Sequence, residues 1–332
     1  MSSGRQSRGV NRREFLSALP LAAAAAAGCR PAPFGAGGFA RASRSPVALL
    51  PAASYDIDLV DVVSRGLRMF DLQVAGRRVL LKPNLVEFER GTVINTHPAV
   101  VYAAAAAFRS AGASEVVVAE GPGHRRDTEY LVTASGLSDA LADAGVRFVD
   151  LNHDDVREVA LASRFTGASR IFLPETLLAA DIVVSMPKLK THHWAGMTAG
   201  MKNLFGVVPG AVYGWPKNVL HLRGIEPSIV DLNATVRVQF TIVDAVVAME
   251  GDGPIRGQAR PMGFLAMGTD VVAVDATCAR IIGLEPQKMA YLREAGRFLG
   301  HIADDRIDQR GEPPSRYRTR FDLVPHLTHL RA

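Results

Sequence analysis

Cysteine is nearly missing from this chain. Cys29 and Cys278 are the two present among 332 residues. Two thiols make no disulfide framework and no cysteine-rich cluster motif, so no iron–sulfur cluster is expected in this chain. Long apolar runs are also missing. The N-terminal stretch, Leu16 to Ala27, is 12 residues interrupted by Ser17 and Pro20, against the roughly 20 needed to cross a bilayer. The body of the chain has no surplus of positive charge either. The formal charge is +5, but residues 1–45 hold seven Arg and one Glu, and the remainder balances to −1. That removes the electrostatic argument for a nucleic-acid partner.

The chain opens with Arg5, Arg8 and Asn11-Arg12-Arg13-Glu14-Phe15-Leu16, followed by the short apolar run. Paired arginines before a short apolar stretch read as a twin-arginine signal. The expectation is export by the twin-arginine translocase and a periplasmic or extracytoplasmic location. Ala40-Arg41-Ala42 is a small-x-small cleavage site; Ala26-Ala27-Gly28-Cys29 is the competing lipoprotein box, with Ala where Leu is usual, and would give a lipid anchor at Cys29. The Gly-, Ala- and Pro-rich linker to Ser45 is expected to be disordered. The division is therefore signal and linker over 1–45, an α/β body over 46–305, and a Pro- and Arg-rich peripheral tail over 306–332.

Within the body, apolar strands are expected at Val47–Leu50, Arg78–Lys82, Glu115–Glu120, Val146–Leu151, Asp181–Met186, Phe240–Met249 and Phe264–Met267. Helices are expected at Ile57–Phe70, Ala99–Ser110 after Pro98, Tyr130–Ala144, Ser228–Val236 and Asp270–Ile282, the last closed by Gly283. The alternation gives an α/β fold: a mainly parallel sheet with helices on both faces, arranged as two lobes around a cleft. Ligands in such folds sit beyond the carboxyl ends of strands. That selects Lys82-Pro83-Asn84, Glu120–Arg126, Pro187–Lys202 and Asp244–Gly253.

The segment from Lys188 to Gly206 places Lys188, Lys190 and Lys202, with His192 and His193, among small residues after a buried strand. Gly196, Ala199 and Gly200 would let backbone N–H groups approach an anion, and a helix starting there would add its dipole. A solvated lysine loop is the bland alternative, and Trp194 and Phe205, which favour burial, speak against it. A separate acidic set, Asp244 within an apolar strand and Glu250 in the turn after it, could bind a hard cation or take a proton. Asp252 reads as turn chemistry and Asp275 as a cap or packing residue.

Lys82-Pro83-Asn84, Asn95-Thr96-His97-Pro98, Pro187–His192, Met201–Gly206, Val243-Asp244, Glu250–Pro254 and Val274-Asp275 resemble, in order, the family called domain of unknown function 362. Many members of that family carry a ferredoxin-like segment. Its lack here implies, under a non-catalytic reading, an anion- or metal-binding accessory role beside a redox partner that holds the cluster. His192–Lys202 is also similar to the stretch of nickel-pincer lactate racemases in which a catalytic His precedes a cofactor-bearing Lys. The region from Gly206 to His221, and Glu120–Arg125, resemble two further stretches of that family. Ala199 stands where Gly is usual, Gly121-Pro122-Gly123 is longer than in the racemases, and the early substrate arginine has no clear equivalent. This resemblance implies His124 and His192 as bases, Lys202 as the cofactor lysine and His221 as the nickel ligand. Lys82, Asn84, Lys188, Lys190 and Asn203 would hold a small anionic substrate. The expected function is an enzyme acting on a small carboxylate, with racemase-like hydride transfer on a hydroxy acid and a nickel-pincer or other metal cofactor.

Overall fold

The computed structural model describes residues 33–35, 38–123, 127–215 and 217–332. The twin-arginine motif, Cys29 and His124 lie outside the described residues. Among those described, no helix is long and apolar enough to cross a membrane.

Twelve strands are described: β1 (Ser45–Pro51), β2 (Arg78–Pro83), β3 (Glu115–Glu120), β4 (Arg147–Asp150), β5 (Val156–Ala160), β6 (Arg170–Pro174), β7 (Ile182–Met186), β8 (Lys188–His192), β9 (Gly196–Thr198), β10 (Phe240–Glu250), β11 (Gln258–Gly268) and β12 (Ile307–Gly311). The main sheet runs β12-β1-β11-β10-β7-β2-β3-β4, with β8 on β10 and β9 on β8. The β10-β7-β2-β3-β4 stretch is parallel, and β11 is antiparallel to both neighbours. The chain is thus α/β around a mainly parallel sheet.

Period-two alternation sends side chains to two cores. Leu49, Leu80, Val117 and Val183 point to one face, with helices α5 (Ile225–Val236) and α6 (Val271–Ile281). Leu50, Val79, Leu81, Val116, Val118 and Val184 point to the other, with α1 (Leu59–Arg68) and α2 (Pro98–Ser110). Each such buried Val or Leu contributes roughly 1.5–3 kcal/mol over exposure, so both faces are firmly covered. Helix starts follow the sequence: Asp58 accepts from Asp61 N, His97 from Ala99 N ahead of Pro98, and Asp270 from Val272 N and Ala273 N.

Four expectations need correction. The helix read over Tyr130–Ala144 is two, Thr128–Ala134 and Leu137–Ala144, because Gly136 adopts φ 74° between them. The β5–β6 hairpin was not foreseen; its strands are short and mostly exposed. The linker is not loose where it is described: Phe34 stacks on Phe298 at 4.0 Å and Arg41 donates to the Gly296 carbonyl. The tail is not peripheral. β12 pairs with β1 at the sheet edge, Phe321 is fully buried, and Glu250 accepts from Asp322 N at 3.1 Å. Phe34–Ala332 packs as one unit, and the cleft described below opens within it.

If the tail is integral, Phe321→Ala should cost about 3–5 kcal/mol in urea denaturation, the range for a buried phenylalanine. A peripheral tail would lose close to nothing.

Candidate functional site

β7 passes through Pro187 directly into β8, which runs alongside β10. This makes Lys188–His192 a strand, where the sequence suggested a loop. Alternation then puts Lys188, Lys190 and His192 on one side, with Leu189 and Thr191 on the other. β9 folds back antiparallel, with Lys190 opposite Thr198 and His192 opposite Gly196. A four-residue helix, Gly200–Asn203, follows and delivers Lys202 and Asn203.

A cavity of about 200 Å³ lies at the carboxyl ends of β2, β3 and β8. Its wall includes Asn84 after β2, Glu120 at the end of β3, Lys190 and His192 on β8, Lys202 and Phe205, and Lys217 and His221. The structure therefore brings together Asn84, Lys190, His192, Lys202, Asn203 and His221 from the sequence reading, adds Glu120 and Lys217, and leaves Lys82, Lys188, Asp244 and Glu250 off the wall.

Lys82 is fully buried and donates to Glu120 Oε2, to the Pro83 carbonyl at 2.8 Å and to Asn203 Oδ1 at 3.1 Å. Glu120 also accepts from Leu85 N at 3.1 Å and Gly121 N at 2.9 Å. Asn203 returns its amide to the Lys82 carbonyl and to Ser185 Oγ. These three groups are committed to one another, so Lys82 and Asn203 are framework and not ligand contacts. Gly206 closes over them: a Cβ there would lie 1.8 Å from Glu120 Oε1 and 2.5 Å from Lys82 Nζ.

Lys188 and Asp244 form a second buried pair at 2.6 Å, and Tyr55 OH donates to Asp244 while accepting from Lys188. Asp244 also accepts from His97 N and Val246 N. Neither residue lines the cavity, and every strong contact of the carboxylate is taken. Glu250 is likewise spent on Arg260 and Asp322 N, pinning the tail. The acidic pair read as a site is structural. So is the anticipated anion-binding helix start, because Asp275 already accepts from Gly200 N at 2.7 Å and Met201 N at 3.0 Å. Burial raises the Asp275 carboxyl to about 7, against those two hydrogen bonds.

The lysines that remain have no carboxylate. Lys190 donates to the Ile94 and Pro254 carbonyls, and Lys217 to Asn152 Oδ1 and the Val208 carbonyl. Lys202 has neither a hydrogen bond nor an ion pair among the described residues, and its ammonium lies 4.1 Å from the centre of the Phe205 ring. Burial, followed by the charge of Lys202, holds the Lys190 amine well below the usual lysine range. Burial brings Lys202 to about 8 and Lys217 to about 7, with Lys82 adding to both effects.

Two of the three histidines on the described cavity wall, His192 and His221, are held in opposite senses. His192 Nδ1 accepts from Trp194 N at 3.1 Å and Ala195 N at 3.3 Å, so the neutral ring carries its proton on Nε2. Burial and then the charge of Lys202 keep it well below the usual imidazole range. His221 Nδ1 faces the Lys217 carbonyl at 3.2 Å, which can only accept, so His221 keeps a lone pair on Nε2. Asn84 is 8% exposed, and its side-chain oxygen has no hydrogen-bond partner. Lining the cavity, that oxygen is open to a hydrogen-bond donor.

Lys217 was missed because it stands in no periodic segment; its backbone is left-handed, with φ 69°. A compositional signal was there to use. The chain has six lysines and 32 arginines. Five of the six, Lys82, Lys188, Lys190, Lys202 and Lys217, belong to this region, and Lys288 is the exposed one. Arginine cannot deprotonate in a protein, whereas a buried lysine can.

The metal-bearing cofactor expected from the sequence finds a poor donor set. Among the described residues, no three of His, Cys, Asp or Glu are grouped to hold a metal ion. His192 presents Nε2–H, which leaves His221 and His193, the latter 3.6 Å from Asp252, as the other imidazoles on the described cavity wall.

A family model described as Domain of unknown function (DUF362) matches residues 79–280. The Thylakoid-associated protein sll1697 of Synechocystis sp. (strain ATCC 27184 / PCC 6803 / Kazusa) is 31% identical over 219 residues, which is 64% of this chain and 64% of that protein. Among solved structures, the lactate racemase apoprotein from Thermoanaerobacterium thermosaccharolyticum gives a TM-score of 0.42 at 14% identity, over 71% of this chain and 57% of that one. A protein from Thermotoga maritima gives 0.40 at 13% identity, over 66% and 57%. The chain spans less than two thirds of each of these proteins.

Lys82, which is paired, and Lys202, which is partly buried and unpaired among the described residues, should respond oppositely to loss of charge. Lys82→Met strands Glu120 and should destabilise by about 3–5 kcal/mol. Lys202→Met removes an uncompensated charge and should stabilise by roughly 1 kcal/mol. Chemical denaturation of both variants checks the contrast.

Proposed function

The chain belongs to the DUF362 family, and from that premise we propose that its cavity binds a small carboxylate and moves a proton on it. One observation carries the reading. Lys190, Lys202 and Lys217 line a cavity whose one described carboxylate, Glu120, is already neutralised by Lys82. Buried cations without counter-ions either lose their protons or find an anion. A carboxylate entering here meets Lys190 and Lys217.

The histidines add direction to the chemistry. His192 offers a hydrogen-bond donor to an oxygen beside the carboxylate, and His221 offers an acceptor for a proton. His192 is not the base that the racemase resemblance implied, since its free nitrogen already carries hydrogen. The carboxylate and the imidazole pair together describe an acid handled at the carbon next to its carboxyl group. The twin-arginine reading of residues 1–45 would place this activity outside the cytoplasmic membrane.

The sign of the pH dependence follows from the lysines. In the free site Lys202 and Lys217 titrate at about 8 and about 7. A bound carboxylate favours the ammonium form and raises both values. Binding must therefore take up protons from about pH 7 upward, and affinity should fall by up to roughly tenfold per pH unit between about 7 and 8 and up to roughly a hundredfold per unit above about 8, where both free lysines have lost their protons. Isothermal titration with lactate, at pH 8 in buffers of different ionisation heat, measures the uptake. Proton release, or binding that ignores pH between 7 and 10, would overturn the reading.

A further inference from the structure

We propose that Lys202 is a nucleophile that condenses with the carbonyl carbon of a short 2-oxo acid, an assignment that rests on the carboxylate reading of the cavity. Four of the buried or partly buried lysines are anchored by hydrogen bonds: Lys82 on Glu120, Lys188 on Asp244, Lys190 on two carbonyls, Lys217 on Asn152 and a carbonyl. Lys202 is the fifth, and among the described residues it has only the face of Phe205 beneath it. An amine with no acceptor to satisfy can turn its lone pair toward a ligand.

Lys202 is also central. Its charge bears on Lys190, on His192 and on His221, and it in turn feels Lys82 and Glu120. All but Lys82 are on the wall of the same cavity. Desolvation next to other cations is the usual way in which a protein frees a lysine amine for attack. With its value brought to about 8, roughly a tenth of Lys202 is neutral at pH 7, hundreds of times more than for an ordinary lysine. Arginine supplies nearly every cation elsewhere in the chain, so the site is supplied with the one basic side chain that can do this chemistry.

The substrate class follows from the neighbours. Lys190 and Lys217 hold a carboxylate, and the carbon beside it must be electrophilic for an amine to attack. A 2-oxo acid has that carbon, and a 2-hydroxy acid does not. The 2-oxygen would take the His192 Nε2–H as a hydrogen-bond donor, and His221 Nε2 stands ready for a proton. As the C–N bond forms, one amine proton passes to His221 and returns to the former carbonyl oxygen. The C–O bond then breaks and water leaves with the second amine hydrogen, giving an imine. Nothing is oxidised or reduced. The imine draws electrons from the adjacent carbon and acidifies its hydrogen.

The test uses the full chain with pyruvate as probe and sodium borohydride as trap, read by intact mass and peptide mapping. The expected result is one reduced pyruvate per chain, on Lys202, with none when lactate replaces pyruvate. Lys202→Arg, which keeps the charge, should lose the adduct. Pyruvate that binds by calorimetry without marking Lys202, or marks only Lys288, would sink the nucleophile and leave the carboxylate site standing. If neither pyruvate nor lactate binds, the carboxylate reading falls as well.

Discussion

The contact between Lys82 and Glu120, made where two parallel strands end, is the constraint on which the cavity depends. Burying two full charges costs several kcal/mol per ion, and the cost is recovered only when the remaining donors and acceptors are satisfied. Here they are. The ammonium reaches Glu120, the Pro83 carbonyl and Asn203, and the carboxylate reaches two backbone N–H groups as well. Asn203 then carries the arrangement onward to Ser185 on β7. One pair thereby ties β2, β3, β7 and the short helix bearing Lys202 into a single frame. Gly206 is required above it because any side chain would occupy the space of the carboxylate.

That frame explains how the neighbouring cations can stay unbalanced. Asp275 fixes the start of the Gly200–Asn203 helix from behind, through Gly200 N and Met201 N. Lys202 is thus placed by backbone and needs no partner for its own head group. A site assembled this way holds surplus positive charge at a cost in stability that the surrounding sheet, apolar on both faces, can bear. The fold keeps its strain local, at the ends of strands, where side chains are exposed to a ligand and not to the core.

Much of the sheet was legible from the sequence, because buried parallel strands read as short apolar runs and their ends as polar, Gly-rich breaks. The same rule located Asn84, Lys190, His192 and Lys202. It could not tell which lysine has a counter-ion. Lys188 and Lys190 sit two residues apart on one face of β8, yet one meets Asp244 and the other only carbonyls. The difference is set by pairing with β10, where Lys188 lies opposite Asp244 and Lys190 opposite Met249. Such register depends on long-range packing that local pattern does not encode. The tail was misread for a related reason. Its Pro and Arg content suggests solvent, while its anchors, Phe321, Leu327 and Leu330, are single residues without period.

The histidines show a different limit. Sequence spacing cannot say which ring nitrogen of His192 or of His221 carries the proton. Their roles are assigned by which backbone group each ring meets. The turn after β8 points two N–H groups at His192 Nδ1, and this forces the proton to Nε2. The helical turn at Lys217 points a carbonyl at His221 Nδ1, and this forces the proton there. Both rings are neutral in this electropositive cavity, so neither role waits on a change of charge. A donor and an acceptor are therefore both in place before any ligand arrives, fixed by peptide groups that cannot titrate. That polarity gives the cavity two unlike sides, one that donates and one that accepts.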